Sequence, residues 1–315
     1  AEYMAQDCSD VPEEYARLIQ LFQHTNQAFP FEGNRIAVYT EGYTKLQSLL
    51  RELQKAKQHI HIEYYIFEDD AIGRLVRDVL IEKASQGVEV RVIYDDVGCW
   101  HVPNRFFEEM RNAGIEVRSF LKVRFPLFTS RVNYRNHRKI VVIDGRIGFV
   151  GGMNLAERYM RGFSWGIWRD THILIEGKAV HGLQTAFLLD WYFVDRTLIT
   201  ASRYFPKIES CGSSLVQVVT SEPIGPWKEI MQGLTMAING AKKYFYMQTP
   251  YFLPTEQVLA AMQTAALAGV DVRLMLPERA DNRITHLGSH SYLADVMQAG
   301  VKVYFYKKGF LHSKL

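Results

Sequence analysis

The sequence predicts an α/β fold built from two pseudo-repeated α/β/α sandwich domains, of which the second is incomplete. Three observations support this prediction. Strand-like and helix-like segments alternate, their order recurs in the second half of the chain, and each half then reaches a histidine and a lysine two residues apart. Strands that alternate with helices of this length are typical of a parallel sheet with crossover helices.

The first copy begins at residues 57–70, KQHIHIEYYIFEDD, where β-branched and aromatic residues nearly alternate, as they do in strands. The helix-like AIGRLVRDVLIEKASQG and the apolar run VEVRVIYDD come next. They are followed by the helix-like PNRFFEEMRNAG and the strand-like IEVRSF. This order predicts three strands joined by two crossover helices.

The second copy starts at residues 241–254, AKKYFYMQTPYFLP, and continues through the helix-like TEQVLAAMQTAALAG, which has a threonine at its expected N-cap. The segments VDVRLMLPERAD, SHSYLADVMQAG and VKVYFY complete it. GVEVRVIY matches GVDVRLML, and NAGIEVRSF matches QAGVKVYFY. We therefore expect a first domain at 34–206 and a truncated second domain at 207–315, after an N-terminal helix and linker at 1–33.

The segment before the first domain has apolar residues near helical spacing, at Leu18, Ile19, Leu21 and Phe22. This spacing predicts a short amphipathic helix, docked either on the domain or on a membrane surface.

The composition is that of an ordinary globular protein, with 48% hydrophobic and 23% charged residues. A net charge of +3 does not by itself indicate a nucleic acid or membrane partner. Cys8, Cys99 and Cys211 fit no metal spacing and no disulfide framework, which favours a reducing compartment. No apolar run approaches the roughly 18 residues that span a bilayer, and no signal peptide is recognisable.

A chemical motif follows the first copy, in NHRKIVVIDGRIGFVGGMN. Its polar residues stand in the frame H-x-K-x4-D, followed by two glycines and an asparagine: His137, Lys139, Asp144, Gly151, Gly152 and Asn154. These six positions agree by chance about once in 10^8 sites. The closing GFLHSKL contains the start of the same frame, His312 and Lys314.

Strand geometry separates the roles of the motif residues. His137 and Lys139 share one face, because successive side chains on a strand alternate. Asp144 has the other parity, so we expect it to buttress the fold near the site without touching substrate. We expect Gly151 and Gly152 to let the backbone approach a phosphate closely; a β-bulge or bend is the alternative.

Phosphodiester chemistry fits these residue types. A phosphodiester is an anion, so an enzyme attacking it must neutralise charge, supply a nucleophile and protonate the leaving alcohol. The sequence contains no metal-binding or nucleotide-binding motif, and we expect neither a metal nor a cofactor. Lys139 and Lys314 would then supply positive charge, and Asn154 would add neutral donors.

The frame resembles the signature of the phospholipase D superfamily, in which two such motifs meet to form one active site. The resemblance extends from about Arg35 to the end of the chain. IEYYIFEDD, YDDVGCW, GGMNLAERY, WRDTHILIEG and GFLHSKL are similar to segments of the bacterial cardiolipin synthases. This resemblance implies phospholipase D-like domains and a phosphatidyltransferase that joins two phosphatidylglycerols into cardiolipin and releases glycerol.

The resemblance also implies a two-step mechanism. A neutral histidine attacks phosphorus to form a phosphohistidine, while a protonated one protonates the leaving alcohol; an acceptor hydroxyl then attacks. The family's order makes His137 the nucleophile and His312 the acid and base, an order that the sequence alone leaves open. The resemblance further implies that Asp170 anchors the first histidine. Asp170 could instead pair with Arg169 or lie in solvent.

Glu63 and Gln248 occupy matching places in the two copies and would either hydrogen-bond near the site or be structural. The predicted catalytic residues are thus His137, Lys139, Asp144, Asp170, His312 and Lys314, and the predicted substrate-binding residues are Asn154, Gly151, Gly152, Glu63 and Gln248. We interpret His59 and His61 as packing or surface histidines, since they share one strand face without a further ligand set. We expect the pairs at 69–70 and 95–96 to end strands and cap loops.

The first copy carries a long insert, residues 120–136, in which aromatic residues lie among lysine and arginine. This mixture suits an anionic membrane interface or a lipid headgroup channel. It also suits stacking on a nucleic acid strand, or an ordinary loop packed on the domain.

The expected partners are an anionic phospholipid, phosphatidylglycerol, and a membrane surface. Nucleic acid is not expected, and no protein partner can be deduced. The expected location is the bacterial cytoplasmic (inner) membrane, with the chain peripheral or anchored by a segment outside this sequence. The chain resembles a protein trimmed at both ends, and we expect it to be poorly active as given.

Two other functions remain open at this point. One is a phospholipase D-type phosphodiesterase that hydrolyses phospholipid or nucleic acid, with water replacing the acceptor alcohol. The other is a lipid- or polyanion-binding module that has lost catalysis.

Overall fold

A computed structural model of the chain describes residue 11 and residues 13–121, 135–222 and 225–315. The helices lie at α1 (Glu13–Asn26), α2 (Gly42–Lys55), α3 (Ala71–Ser85), α4 (Asn104–Asn112), α5 (Arg158–Arg161), α6 (Val180–Asp195), α7 (Glu229–Gly240), α8 (Glu256–Leu267), α9 (Arg283–Ser291) and α10 (Leu293–Gln298). The strands lie at β1 (Pro30–Tyr39), β2 (His59–Tyr64), β3 (Glu89–Asp95), β4 (Glu116–Phe120), β5 (Lys139–Ile143), β6 (Ile147–Gly151), β7 (Ile167–Arg169), β8 (His172–Glu176), β9 (Ser214–Gln217), β10 (Tyr244–Gln248), β11 (Asp271–Pro277), β12 (Lys302–Tyr306) and β13 (Gly309–Leu311).

The chain divides into two compact units that are interleaved along the sequence. The large-sheet unit comprises Phe31–Met160 and Thr171–Val218. The small-sheet unit comprises Arg161–Asp170, Val219–Leu315 and the described part of Ala1–Pro30. The domains predicted at 34–206 and 207–315 are continuous ranges, and those ranges stay predictions.

The large-sheet unit is built on a mixed sheet of strand order β4-β3-β2-β5-β6-β8-β1-β9. Strands β2, β3 and β4 run parallel, as the alternation of strands and helices predicts. Strand β5 then pairs antiparallel with β2, and β6 and β8 continue the antiparallel half. The first motif therefore lies at the centre of the sheet, on β5, beside β2, the first strand of the repeat.

Both faces of this sheet are covered. Ile60, Ile62 and Tyr64 of β2 belong to the core shared with helices α2, α3 and α4. The opposite face of the sheet packs on α6 through a second apolar cluster, which includes Val142 and Leu183. The predicted α/β/α sandwich is confirmed.

The small-sheet unit repeats the same plan with β10, β11 and β12 in parallel. The chain end then pairs antiparallel with β10, since the Gln248 N–H donates to the Leu315 carbonyl (2.8 Å) and the Leu315 N–H donates to the Gln248 carbonyl (3.0 Å). The corresponding pair in the large sheet is Glu63 with Ile140. The predicted repeat is thus present at the level of strand register.

The two copies also begin their first crossover helix in the same way. The Asp70 carboxylate accepts hydrogen bonds from the backbone N–H groups of Ile72 (3.0 Å) and Gly73 (2.9 Å) at the start of α3. The Thr255 hydroxyl accepts one from Val258 (3.4 Å) at the start of α8. Both side chains satisfy donors that a helix leaves unpaired in its first turn.

The N-terminal helix is present as α1, which packs on α7 of the small-sheet unit. Gly233 allows this close approach, because a Cβ there would lie 2.1 Å from the Phe22 ring. The Asn26 amide donates to the Thr220 carbonyl at 2.9 Å. The apolar side of α1 therefore docks on α7 of the small-sheet unit. In the parts of the chain that the structure describes, the helices are too short or too polar to cross a bilayer.

Candidate active site

The first motif forms a half-site at the start of β5. The exposed ring of His137 stacks on Tyr65, with ring centroids 3.9 Å apart and an interplanar angle of 23°. The Lys139 ammonium donates to the His137 carbonyl oxygen and lies 5.4 Å from the centre of the same tyrosine ring. Tyr65 thus orients the imidazole and the ammonium together. The sequence signal for Tyr65 is its place directly after β2, in EYY.

Asp144 supports this half-site from behind. Its carboxylate accepts hydrogen bonds from the backbone N–H groups of Lys57 (2.9 Å), Gln58 (2.8 Å) and His59 (3.0 Å). It lies in the turn after β5 with a φ of 51°. These contacts tie β5 to the beginning of β2, which is the buttressing arrangement expected from its parity.

Gly151 packs closely on β8, and the expected role of Gly152 stays a prediction. A Cβ at Gly151 would lie 2.5 Å from the His172 Cα and 2.7 Å from the His172 Nδ1. The Gly152 N–H donates to the Thr171 carbonyl at 2.9 Å. The expectation for Gly151 is therefore corrected, because the space freed by its missing Cβ holds β8 of the chain itself and is not open to a phosphate.

Asn154 holds the loop that carries Tyr65. Its amide oxygen accepts from the Ile66 N–H at 3.0 Å, and its amide nitrogen donates to the Tyr159 hydroxyl at 2.5 Å. Only 2% of the residue is exposed. Its expected role as a donor to substrate stays a prediction.

A buried carboxyl network underlies the first motif. The Asn136 amide donates to Glu63 and, at 3.1 Å, to Asp190, which also pairs with Arg138. Burial, followed by the negative charge of Asp190, raises the pKa of the Glu63 carboxyl well above its ordinary value. The network holds the residues on both sides of His137.

The second motif forms a separate half-site in the small-sheet unit. His312 Nδ1 lies 2.7 Å from an Asp170 carboxylate oxygen, and Asp170 is only 1% exposed. The His312 N–H donates to the Arg169 carbonyl at 2.7 Å. The Lys314 ammonium donates to the His312 carbonyl at 2.7 Å, which repeats the arrangement of Lys139 and His137.

The partner of Asp170 is a correction to the sequence-based expectation, which named the first histidine. The structure places the Asp170 carboxylate on His312. The reason is the parallel pairing of β7 with β13, in which Leu311 lies opposite Arg169. The residues that follow these two strands then come together.

The small-sheet half-site also has a tyrosine. Tyr251, in the loop after β10, has its ring 6.4 Å from the His312 ring at an angle of 80°. Its hydroxyl lies 2.8 Å from the Asp281 carboxylate. Among the described residues, the buried side-chain oxygen of Gln248 has no hydrogen-bond partner, and its expected role near the site stays a prediction.

His59 and His61 are packing residues, as interpreted from the sequence. Gln184 lies within hydrogen-bonding distance of both rings, at 3.1 Å and 2.9 Å. Burial lowers the pKa of His59 to about 4 and that of His61 well below its ordinary value. Asp95 caps a turn, accepting from Val97 at 2.9 Å. The described ranges hold no cluster of histidine, cysteine and carboxylate side chains that could bind a metal ion.

Two interior polar residues, Lys45 and His172, were not predicted from the sequence. Lys45 of α2 is fully buried and donates to the Tyr64 hydroxyl at 2.8 Å, and burial lowers its pKa to about 7. His172 of β8 is also fully buried, and within the described ranges neither ring nitrogen has a partner. Burial lowers the pKa of His172, and the positive charges of Lys45 and Lys139 act in the same direction.

A signal for Lys45 exists in the sequence, because it precedes Leu49 and Leu53 at intervals of four on the apolar stripe of α2. His172 lies two residues after Asp170 in WRDTHILIEG. It is paired with Gly151 of the neighbouring strand β6.

Most of the insert at 120–136 lies outside the described residues, including Lys122, Arg124, Phe125, Leu127, Phe128 and Arg131. The interpretation of this insert as a lipid or nucleic acid contact therefore stays a prediction. Arg135, at its end, donates to the Leu121 carbonyl at 3.3 Å.

Comparison with protein families gives a match to the family model described as "Cardiolipin synthase, PLD-like domain", over residues 49–191 and 234–315. The two matched ranges contain both motifs.

Curated relatives match over most of the chain. It is 45% identical to a cardiolipin synthase of Geobacillus kaustophilus over 286 residues, which are 90% of this chain and 57% of that protein. It is 42% identical to the major cardiolipin synthase of Bacillus subtilis, over 94% of this chain and 62% of that protein. The chain thus spans about three-fifths of the length of these relatives.

Among solved structures, the chain is similar to phosphatidylserine synthase of Haemophilus influenzae, with a TM-score of 0.65 and 13% identity, over 95% of this chain and 79% of that one. At this level of identity the likeness shows the fold alone.

Proposed function

Since this chain belongs to the family of cardiolipin synthase, PLD-like domains, we propose that it acts as a phosphatidyltransferase. In the proposed reaction, two phosphatidylglycerol molecules give cardiolipin and glycerol. The observation that carries the proposal is the pair of equivalent half-sites. In each, a lysine ammonium is bonded to the carbonyl of the histidine two residues before it.

The first step of the proposed mechanism is attack by neutral His137 on the phosphorus of one phosphatidylglycerol. A nitrogen–phosphorus bond forms, and the bond from phosphorus to the glycerol oxygen breaks. Stacking on Tyr65 supports this assignment, because it holds the ring by its face while the ring remains exposed. An oriented nucleophile reacts faster than a mobile one.

His312 is the proposed acid in the first step and gives its proton to the departing glycerol oxygen. The carboxylate of Asp170, 2.7 Å from Nδ1, supports this role because it stabilises the protonated ring and keeps a proton on Nδ1. Proton transfer to the glycerol oxygen would then occur from Nε2. The contact between Asp170 and His312 therefore supports the assignment of His312 as the acid.

In the second step, a hydroxyl of another phosphatidylglycerol attacks the phosphohistidine while His312 takes the hydroxyl proton. Cardiolipin leaves, and His137 is neutral again. Lys139 and Lys314 supply the positive charge that offsets the phosphate oxygens in both transition states. If water replaced the hydroxyl, the same steps would yield phosphatidic acid.

The test is turnover of labelled phosphatidylglycerol in mixed micelles. The proposal expects tetra-acyl cardiolipin and free glycerol in equal amounts. A reaction quenched in neutral denaturant, which spares the acid-labile nitrogen–phosphorus bond, should contain phosphatidyl-modified His137 by mass spectrometry. His137→Ala should reduce the rate by about 10^3-fold or more. His24→Ala, an exposed histidine on α1, is the matched control.

Two results would contradict the proposal. Phosphatidic acid as the sole phospholipid product would make the protein a hydrolase. Turnover by His137→Ala at the rate of the unaltered protein would remove His137 from the chemistry.

A further inference from the structure

The small-sheet unit carries an exposed apolar surface that the proposed reaction does not use. It consists of Leu253, Ile284 and Leu287, which are 53%, 81% and 70% exposed, and we name these three residues the α9 patch. Ile284 and Leu287 are three apart on α9 and therefore share one face. Leu253 lies against the same helix, since a Cβ at Gly288 would be 3.0 Å from its Cδ2.

Basic and aromatic side chains border the α9 patch. Arg279 and Arg283 are both exposed, and the Arg279 guanidinium lies 5.9 Å from the ring centre of Trp165. Trp165 stacks in turn on Phe163, with centroids 4.9 Å apart. Exposed leucine and isoleucine with neighbouring tryptophan and arginine are typical of surfaces that enter the headgroup region of an anionic bilayer.

The positive charges at this border outnumber the negative ones. Glu278 lies 3.7 Å from the Lys307 ammonium. Asp281, in contrast, accepts from the neutral Tyr251 hydroxyl at 2.8 Å and keeps its charge. The two arginines together exceed the charge of Asp281, which leaves the border positive. A positive border is complementary to phosphatidylglycerol headgroups.

Tyr251 links the α9 patch to the second motif. Tyr251 lies two residues before Leu253, and its ring is 6.4 Å from that of His312. A phospholipid keeps its phosphate at headgroup depth while its acyl chains stay in the bilayer. A protein surface that enters the bilayer beside His312 would therefore meet the phosphate without extracting the lipid.

We propose that the α9 patch docks this chain on the surface of an anionic phospholipid bilayer. The choice of a bilayer as the occupant rests on the proposed function and on the positive border. Ile284 and Leu287 enter among the upper acyl carbons, while Arg279 and Arg283 contact the headgroup phosphates.

The experiment is sedimentation of the 315-residue chain with vesicles of phosphatidylcholine, with or without about one-third phosphatidylglycerol. The double variant Ile284→Asp/Leu287→Asp should lower the partition coefficient about tenfold or more, because two apolar side chains are replaced by anions. Leu267→Asp is the matched control, since Leu267 is 74% exposed at the end of α8 in the same unit, and it should bind within about twofold of the unaltered chain. Arg279→Gln/Arg283→Gln should weaken binding only to the vesicles that contain phosphatidylglycerol.

A second measurement, which misfolding of the Asp variants cannot affect, uses an added tryptophan as a depth probe. The tryptophan fluorescence added by Leu287→Trp should be quenched by brominated phospholipids, and that added by Leu267→Trp should not. Equal binding of the Asp double variant and the unaltered chain would overturn the proposal, as would an absence of quenching in Leu287→Trp. So would a change in oligomeric state, measured by light scattering, that accounts for the lost binding. Because the readout is partitioning and not turnover, failure here leaves the proposed reaction to its own test.

Discussion

Replacing Lys45 by methionine should stabilise the large-sheet unit, and the gain should depend on pH. Lys45 is fully buried, and its ammonium donates to the Tyr64 hydroxyl at 2.8 Å. No carboxylate pairs with it anywhere in the described ranges. Methionine has a similar length and no charge, so the substitution removes the buried charge with little change in packed volume.

The magnitude follows from the pKa of Lys45, which burial lowers from 10.5 to about 7. Between these values the unfolded chain holds a proton that the folded chain has lost, so the stability of the unaltered protein rises with pH across this window. Below about pH 7 both states are protonated and the whole cost of the buried charge is present. A gap of about 3.5 pH units corresponds to about 5 kcal/mol.

The unpaired Tyr64 hydroxyl in Lys45→Met offsets about 1–3 kcal/mol of this gain. We therefore expect the variant to be more stable by about 2–4 kcal/mol at about pH 6, and this difference to shrink by about 3 kcal/mol by about pH 9.5. The double variant Lys45→Met/Tyr64→Phe removes the unpaired hydroxyl and should gain more at low pH.

The assay is urea-induced unfolding followed by far-ultraviolet circular dichroism at both pH values. Lys57→Met, at an exposed position, is the matched control and should change stability by about 0.5 kcal/mol or less. A stability difference for Lys45→Met that does not vary with pH would refute the reasoning. Destabilisation at both pH values would refute it as well.

The remaining predictions concern two aspartates of the motifs, with Asp295→Asn on the exposed side of α10 as the control for both. Asp144→Asn should lower the free energy of unfolding by about 1–3 kcal/mol in urea titrations, because an amide cannot accept all three backbone N–H groups; lost turnover at unchanged stability would contradict a buttressing role. Asp170→Asn should lower kcat about 10- to 100-fold, because His312 loses a charge-assisted hydrogen bond worth about 1.5–3 kcal/mol. A kcat equal to that of the control variant would show that the contact with Asp170 does not support the role of His312.

The repeat and its elements could be predicted from sequence because their signals are local. The alternation of apolar residues in β2 and β3 and the capping residues Asp70 and Thr255 lie within a few residues of the structures they specify. The buttressing role of Asp144 could also be predicted, because the number of residues between two positions on a strand decides whether their side chains share a face.

The partner of Asp170 could not be predicted in this way. Its bond to His312 joins residues 142 apart in the chain and depends on the pairing of β7 with β13, two strands of three residues each. Such short strands carry little periodic signal. The role of Gly151 was missed for a related reason, since only the register of β6 with β8 brings His172 beside it.

The interleaving of the two compact units has a consequence for synthesis on the ribosome. Asn26 of α1 reaches its hydrogen-bond partner Thr220 only after a further 194 residues have been made. At about 5–20 residues per second this takes about 10–40 s. During that interval the large-sheet unit can complete its own core, whereas the apolar side of α1 has no α7 to pack on. Chaperones can therefore bind α1 during that interval, and α1 reaches its native neighbour only after the whole large-sheet unit has been made.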